Sequence, residues 1–517
     1  MTMQNPETSL KKRYLFKLMT NFVGLGIGLV TQAIVPRALG PSSYGNFSFL
    51  TNFFLQLMGF LNLNSSTAFY TKLSQRQDDK GLISFYFYLT MIVSAATAIF
   101  VGVSYLSGID HVIWPEQKAI FVGLAMLWAL LQTYNSTLIQ VSDAYGLTAK
   151  SEVVNMLQRI LGLLIIFILF IFNRLNLFSY FILQILIFVV VIAFLIILIQ
   201  KFKVHLINTW RLNKIQLKSY IKEFTSFCVP LIIFSIFAIM EQMADRWFLQ
   251  KFSGSMQQGF YALAYQTGAI GALFVSAMIP LIMREFAIEF ANNNIERMRQ
   301  LFIKYTKMLF AIAAFFGCFL AVEAKNVMLI FGGEAYTGAI IAITIMCFFP
   351  MQQASGQMNA AFFFATGRTK TYSNIGLCLF LIGLPLTIFL LGPEKYGALQ
   401  SGAIGLAAKT MVMTSLSVNI QLWFNTKYLK VSFSRFLIHQ FIVVSIFIVV
   451  AAGCSQAVAL LFSTDHFAGH FFVAGILYTI IVSCLVWCFP WMGALKKSQI
   501  SELAVQMINK MPIKFHQ

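Results

Sequence analysis

The sequence predicts an all-α polytopic membrane protein with about fourteen transmembrane helices. Three observations predict it. Of 517 residues, 59% are hydrophobic and only 11% charged, a balance no soluble core needs; the mean hydropathy is +0.77. Apolar runs of roughly 20 residues, the length that crosses a bilayer, recur along the whole chain. Lys and Arg collect in alternate connections between those runs, as they do where basic loops are retained in the cytoplasm.

The first basic segment, MTMQNPETSLKKRYLFK, leads into an apolar run with no small-residue cleavage site, so it reads as an uncleaved first helix. Spans are expected near 15–36, 46–66, 82–106, 119–141, 153–172, 177–199, 224–247, 259–282, 305–322, 337–365, 374–392, 401–424, 437–462 and 469–492. With both termini in the cytoplasm, and with the in-span residues Lys17, Arg159, Arg246 and Lys307 counted to the adjoining connection, the inside segments carry 29 Lys+Arg, the outside loops 7, and Lys409 stays within its span. Miscounting one central span would erase that asymmetry. The +19 charge therefore sets topology, and no nucleic-acid partner is expected. All seven cysteines lie in or against apolar segments, where Cys behaves as a small hydrophobe. The long connections 200–223 and 284–307 mix basic and apolar residues. Each reads either as an amphipathic helix on an anionic leaflet or as a helical, topology-setting loop.

The chain is expected to comprise 1–200 (six spans), a linker at 201–223, 224–425 (six spans), and 426–517 (two spans and a cytoplasmic tail). The two six-span parts look duplicated. QAIVPRALGPSSYGNFSFL echoes QMADRWFLQKFSGSMQQGFYALAY, pairing Arg37 with Arg246 and, after a longer loop, Gly45 with Gly259. DAYGLTAKSEVVN echoes FATGRTKTYSNIG, pairing Gly146 with Gly367, and upstream Gln132 with Gln353. Ordered offsets of this kind are what duplication leaves. Copies of even span number share an orientation, so a cavity is expected between two parallel repeats.

The pattern speaks against an enzyme. No phosphate-binding loop is present: Gly40 and Gly45 have the glycine spacing but are followed by Asn46 and Phe47. His466, His470 and Asp465 are too few for a metal site, and neither metal nor cofactor is expected. A glycan-assembly enzyme needs a larger outer domain or acidic outer loops; the first outer loop, ALGPSSY, has no acid.

Polar groups inside the spans are the remaining candidates. In the first span Asn21, Gly24, Gly28 and Gln32 share a face, Pro36 and Arg37 close the helix, and Gly40-Pro41 with Gly45 turn the chain. Span four carries Gln132, Ser136, Gln140 and Asp143; span ten carries Gln352, Gln353, Ser355, Gln357 and Asn359. Glu241, Asp245 and Arg246 cluster in span seven, Asn155 and Arg159 lie one turn apart in span five, and Lys409 shares a face with Gly402 and Gly405. Interhelical bonding accounts for any one of these; their concentration in the repeated spans favours a wet cavity. Its expected lining is Asn21, Gln32, Gln132, Gln140, Gln353 and Asn359. Four cations (Arg37, Arg159, Arg246, Lys409) against three acids (Glu241, Asp245, Asp143) suit an anion such as a pyrophosphate. The acids either carry a coupling ion or neutralise the arginines.

QAIVPRALGPSSYGNFSF after a polar first span, the YG-type turns, FGGEAYTGAI before span ten, YGALQSGAIGLAA into span twelve, and the span count together resemble the Wzx-type oligosaccharide flippases. These belong to the multidrug/oligosaccharidyl-lipid/polysaccharide exporter superfamily. The resemblance runs nearly the length of the chain through loose motifs. It implies two six-helix lobes in a V plus two C-terminal helices, with a cationic central cavity. It also implies alternating access coupled to an ion gradient, and a bacterial inner-membrane location. The implied substrate is an undecaprenyl-pyrophosphate-linked oligosaccharide of O-antigen, lipopolysaccharide or another surface-polysaccharide pathway. A polymerase and a chain-length regulator are implied partners beside membrane lipids. Rival readings are a lipid II flippase, a multidrug cation antiporter of the same superfamily, and a membrane enzyme of glycan assembly.

Overall fold

The computed structural model describes residues 10–76, 79–202, 214–269, 271, 278–461 and 466–493. Among them are seventeen α-helices and no strand. In order these are α1 (Leu10–Asn62), α2 (Ser65–Gln75), α3 (Lys80–Leu106), α4 (Asp110–Ile113), α5 (Ala119–Ala144), α6 (Thr148–Ile171), α7 (Leu177–Lys201), α8 (Lys214–Ala269) and α9 (Ile279–Ala291). There follow α10 (Ile295–Val322), α11 (Ala324–Phe331), α12 (Ile340–Met346), α13 (Phe349–Ala365), α14 (Thr369–Leu391), α15 (Gly402–Leu429), α16 (Ser434–Leu461) and α17 (Phe467–Cys488).

Eleven helical segments among the described residues are long and apolar enough to cross a membrane. The first, Val23–Asn62, has 40 residues. At 1.5 Å per residue that is about 60 Å, twice the hydrocarbon thickness. Gly40 interrupts it at φ 71°, ψ 168°, giving two arms that match the spans expected at 15–36 and 46–66. The spans expected at 224–247 and 259–282 run along α8 and beyond; residues 270 and 272–277 lie outside the described residues, as do 203–213 of the linker and most of the C-terminal tail.

Two expectations are corrected. The first helix does not close at Pro36 and Arg37 but continues to Leu39, and Gly45 lies in the second arm rather than in the turn. Only Gly40 leaves helical geometry, and Pro41, whose nitrogen has no hydrogen to leave unpaired, starts the new arm. Residues 284–307 are not one surface helix. Asn292–Asn294 break them, with Asn293 at φ 53° and the Asn294 side chain capping Arg297 N at 3.1 Å. Asparagine tolerates both conformations.

The chain divides into two compact units: the described residues to Gly259 with Thr387–Gly402, and Phe260–Leu386 with Ala403 onward. In the first unit, α1 packs on α5 and α6, and α5 on α7. Its core includes a ring cluster in which Trp114 stacks on Phe54 and Tyr105 and meets Phe53 and Phe100 edge-on. The opposite stripe of α6 (Leu157, Leu161, Leu164, Ile168, Ile171) is exposed, at the helical spacing a lipid-facing surface has. In the second unit α10 packs between α13 and α16, and α16 on α17. Phe286, Phe302, Phe362 and Phe436 form its aromatic core. The Tyr478 hydroxyl donates to Phe315 O at 3.0 Å, and His470 Nε2 sits 3.1 Å from Ser455 O, fixing α17.

Candidate functional site

Gly146 and Gly367, paired in the sequence, close their helices in the same way, as several other helices of the chain also end. After α5, Gly146 N bonds Asp143 O and Leu147 N bonds Ser142 O; after α13, Gly367 N bonds Phe364 O and Arg368 N bonds Phe363 O. Gly146 and Gly367 both have positive φ, 75° and 68°. These are two copies of one Schellman ending, which needs a residue free to adopt the left-handed region. They stand 221 positions apart, as do the helix starts at Thr148 and Thr369.

The second pair of anchors is the helix break. Gly254, at φ 81° and ψ 176°, interrupts α8 as Gly40 interrupts α1. The two lie 214 positions apart, the offset of Gly45 and Gly259. A methyl on Gly45 would strike Ser255 O and come within 2.7 Å of Gly259 N; one on Gly259 would strike Pro41 O and come within 2.8 Å of its carbonyl carbon. Each arm thus meets the other through the same positions, as elements related by a two-fold axis do. The expected pairing of Arg37 with Arg246 is corrected. No longer loop precedes Gly254, because α8 is helical up to it. The residue three before each break is Arg37 in one arm and Lys251 in the other, so Arg246 corresponds to Gln32.

The connection at 107–118 clasps this crossing. The Glu116 carboxylate accepts from Ser255 N at 2.8 Å and Ser255 Oγ at 2.6 Å, capping the arm that starts there, and lies 3.3 Å from Gln250 Nε2. Free N–H groups and the helix dipole favour an anion at that point. Gln117 Nε2 donates to Asn46 Oδ1 at 2.7 Å, and Trp247 Nε1 to Val112 O at 2.9 Å. Glu116, Gln250 and Ser255 were not singled out from sequence; the two acids of that connection, Asp110 and Glu116, were the available signal.

The candidate cations of the first unit are spread along its helices. The Arg159 guanidinium lies over Gly24, within the space a Cβ there would fill, so that glycine makes room for it. Arg37 is exposed, thirteen residues further along α1, about 20 Å away at helical rise. That is further than one phosphate group reaches, so Arg37 and Arg159 do not share a single phosphate. Arg246 is half-buried in α8 beside Asp245, which accepts from Thr387 Oγ1 at 2.7 Å. Gln32, Gln132, Asp143 and Glu241 are half-buried; Gln140 Nε2 donates to Ser66 Oγ at 2.6 Å. The Asn21 side chain lies outside the described residues.

In the second unit Lys409 is 2% exposed within α15. Asn359 is fully buried: Nδ2 donates to Val418 O at 3.1 Å and its side-chain oxygen accepts from Asn425 Nδ2 at 3.3 Å, tying α13 to α15. Gln353 accepts from Gln357 Nε2 at 3.2 Å on the wall of a cleft between α13, α14 and α15.

A third feature lies at the ends of α2 and α8. Arg76 Nη2 is 2.7 Å from both carboxylate oxygens of Glu223, Lys72 Nζ is 3.1 Å from one of them, and the Tyr220 hydroxyl donates to Asp79 at 2.6 Å. Partial burial alone would raise the Glu223 carboxyl, but bonds from Arg76 and Lys72 hold it below the usual carboxylate range. The bond to Glu223 in turn raises Arg76.

No family model matches the sequence, and no curated protein matches it. Solved structures do match. A lipid II flippase MurJ, in an inward closed conformation, superposes with TM-score 0.63 at 14% identity, over 91% of this chain and 98% of that one. The chain has the fold of this flippase. A multidrug resistance MATE family transporter of the MOP superfamily, inward-facing, gives TM-score 0.56 at 15% identity, over 81% and 99%. A MOP superfamily transporter from Pyrococcus furiosus Vc1, described as having a binding pocket of reverse polarity, gives 0.52 at 15%, over 82% and 97%. The fold is thus the all-helical one these transporters share, and the chain is a multi-pass membrane protein.

Proposed function

We propose that this chain is a flippase. It carries undecaprenyl-pyrophosphate-linked oligosaccharide repeat units across the bacterial inner membrane, by alternating access biased by an ion gradient, for surface-polysaccharide synthesis. The observation that carries the reading is the fold shared with a lipid II flippase along 91% of the chain, in a chain whose spans hold more candidate cations than acids. Coverage falls to 81% against the multidrug transporter, which favours the lipid-headgroup reading over a drug exporter.

The chemistry is consistent with it. A sugar diphosphate cannot cross hydrocarbon unaided, and guanidinium groups hold phosphates through paired, charge-assisted bonds. Arg37, Arg159 and Arg246 of the first unit would pass the anionic group from one station to the next, with Lys409 of the second unit a further cation. Glu241, Asp245 and Asp143 are the candidates for carrying the coupling ion. Alternating access needs the ligand to bind the two states differently. The excess of Lys and Arg in alternate connections supports cytoplasmic termini. A polymerase and a chain-length regulator would act on the product.

Lipid II is the second reading, favoured by the name of the matching flippase. A deletion strain separates the two. Intact cells lacking surface polysaccharide support the first; lysis supports the second; neither phenotype contradicts both.

A further inference from the structure

We infer that the cleft in the second unit is a binding subsite for an uncharged sugar ring, separate in chemistry from the cations. It has a volume of about 260 Å³, just under the roughly 300–1,000 Å³ of pockets that take drug-sized ligands, a size for one ring and not for a chain. Its polar wall is made by Gln352, Gln353 and Gln357 of α13 and by Thr414, Ser417 and Gln421 of α15. Phe349 and Tyr372 add aromatic surface. Among the described residues, no Asp, Glu, Lys, Arg or His lines it.

Each amide offers donors and an acceptor together, and each hydroxyl does the same. That is the pattern of a sugar's own hydroxyl groups. A phosphate calls for cations, and the described lining offers none. The amides are also incompletely used. Gln421, only 7% exposed, donates from Nε2 to Ser417 Oγ at 3.0 Å, while among the described residues its carbonyl oxygen has no partner. Unmet amide groups at membrane depth are costly, and a hydroxylated ligand satisfies them. The spacing of 414, 417 and 421 places all three on one face of α15, so the subsite is written into a single helical stripe opposite the glutamines of α13.

This proposal rests on the flippase reading, and the test separates the two. Purified full-length protein is titrated by native mass spectrometry with undecaprenyl pyrophosphate and with undecaprenyl pyrophosphate bearing one N-acetylglucosamine. The wild type is expected to bind the sugar-bearing lipid about tenfold more tightly. Gln353→Leu with Gln421→Leu is expected to abolish that preference, the two lipids then binding alike. Should the leucines lower the melting temperature, Gln353→Asn with Gln421→Ser, smaller and still polar, is expected to cut the preference to a third or less. A preference that survives substitution, or equal binding of both lipids by the wild type, overturns the subsite and leaves the flippase reading standing. A wild type that binds neither lipid overturns both.

Discussion

A methyl group at Gly45 is the sharpest probe of the crossing. It would sit within 2.7 Å of Gly259 N and strike the Ser255 carbonyl oxygen. Both are backbone atoms, so no side chain can rotate away. Restoring a separation of about 3.5 Å requires the arms to part by at least ~0.8 Å. Overpacking of this kind costs ~1–3 kcal/mol, so Gly45→Ala should lower the melting temperature of the purified protein. Gly259→Ala meets the reciprocal obstacle at Pro41. One separation relieves both clashes, so the double variant should cost less than the two singles together, by ~0.5 kcal/mol or more. If this crossing is closed in only one transport state, the same energy shifts the balance of states by roughly 5–150-fold. Spin labels placed on the two arms would report the widening. Unchanged stability in both single variants, or strict additivity in the double, would refute the close approach.

Glu116→Gln removes the charge from the cap on Ser255 and should destabilise the clasp by ~1–3 kcal/mol, read as faster amide exchange at Ser255–Gly259. Glu223, whose carboxyl is held low by Arg76 and Lys72, contributes docking strength at neutral pH that is lost as pH falls through its depressed value. Arg76 is 44% exposed, so the effect is ~1 kcal/mol or less; Glu223→Gln should flatten the acid limb of a stability–pH profile. Asn425→Leu leaves the buried Asn359 without one partner and should cost ~1–3 kcal/mol, measured by thermal unfolding, without altering lipid binding.

Much of this was legible in the sequence for physical reasons. Spans announce themselves because every backbone group in lipid must be bonded within its own helix. The Gly146/Gly367 anchors were legible because the helix ending itself needs a residue that tolerates positive φ. The Arg37–Arg246 pairing failed because FSGSM reads as a loop while its backbone is helical on both sides of one glycine; charge identity does not reveal helix phase. Gly45 read as a turn residue because glycine serves turns and close contacts alike. The clasp at Glu116 was hidden because its partners lie more than 130 positions away in the chain. The α15 side of the cleft was readable at 414, 417 and 421 but stood out less than the run of glutamines facing it.

The proposed function requires arginines within the spans to conduct an anionic headgroup. Proteoliposomes loaded with undecaprenyl-pyrophosphate-linked N-acetylglucosamine test it most directly, by following how fast the sugar becomes accessible to an external lectin. Wild-type protein should accelerate exposure, and Arg37→Ala and Arg246→Ala, folded and present at equal amounts, should each slow it at least ~10-fold, the loss of one charge-assisted contact. Wild-type rates in both variants would contradict the claim.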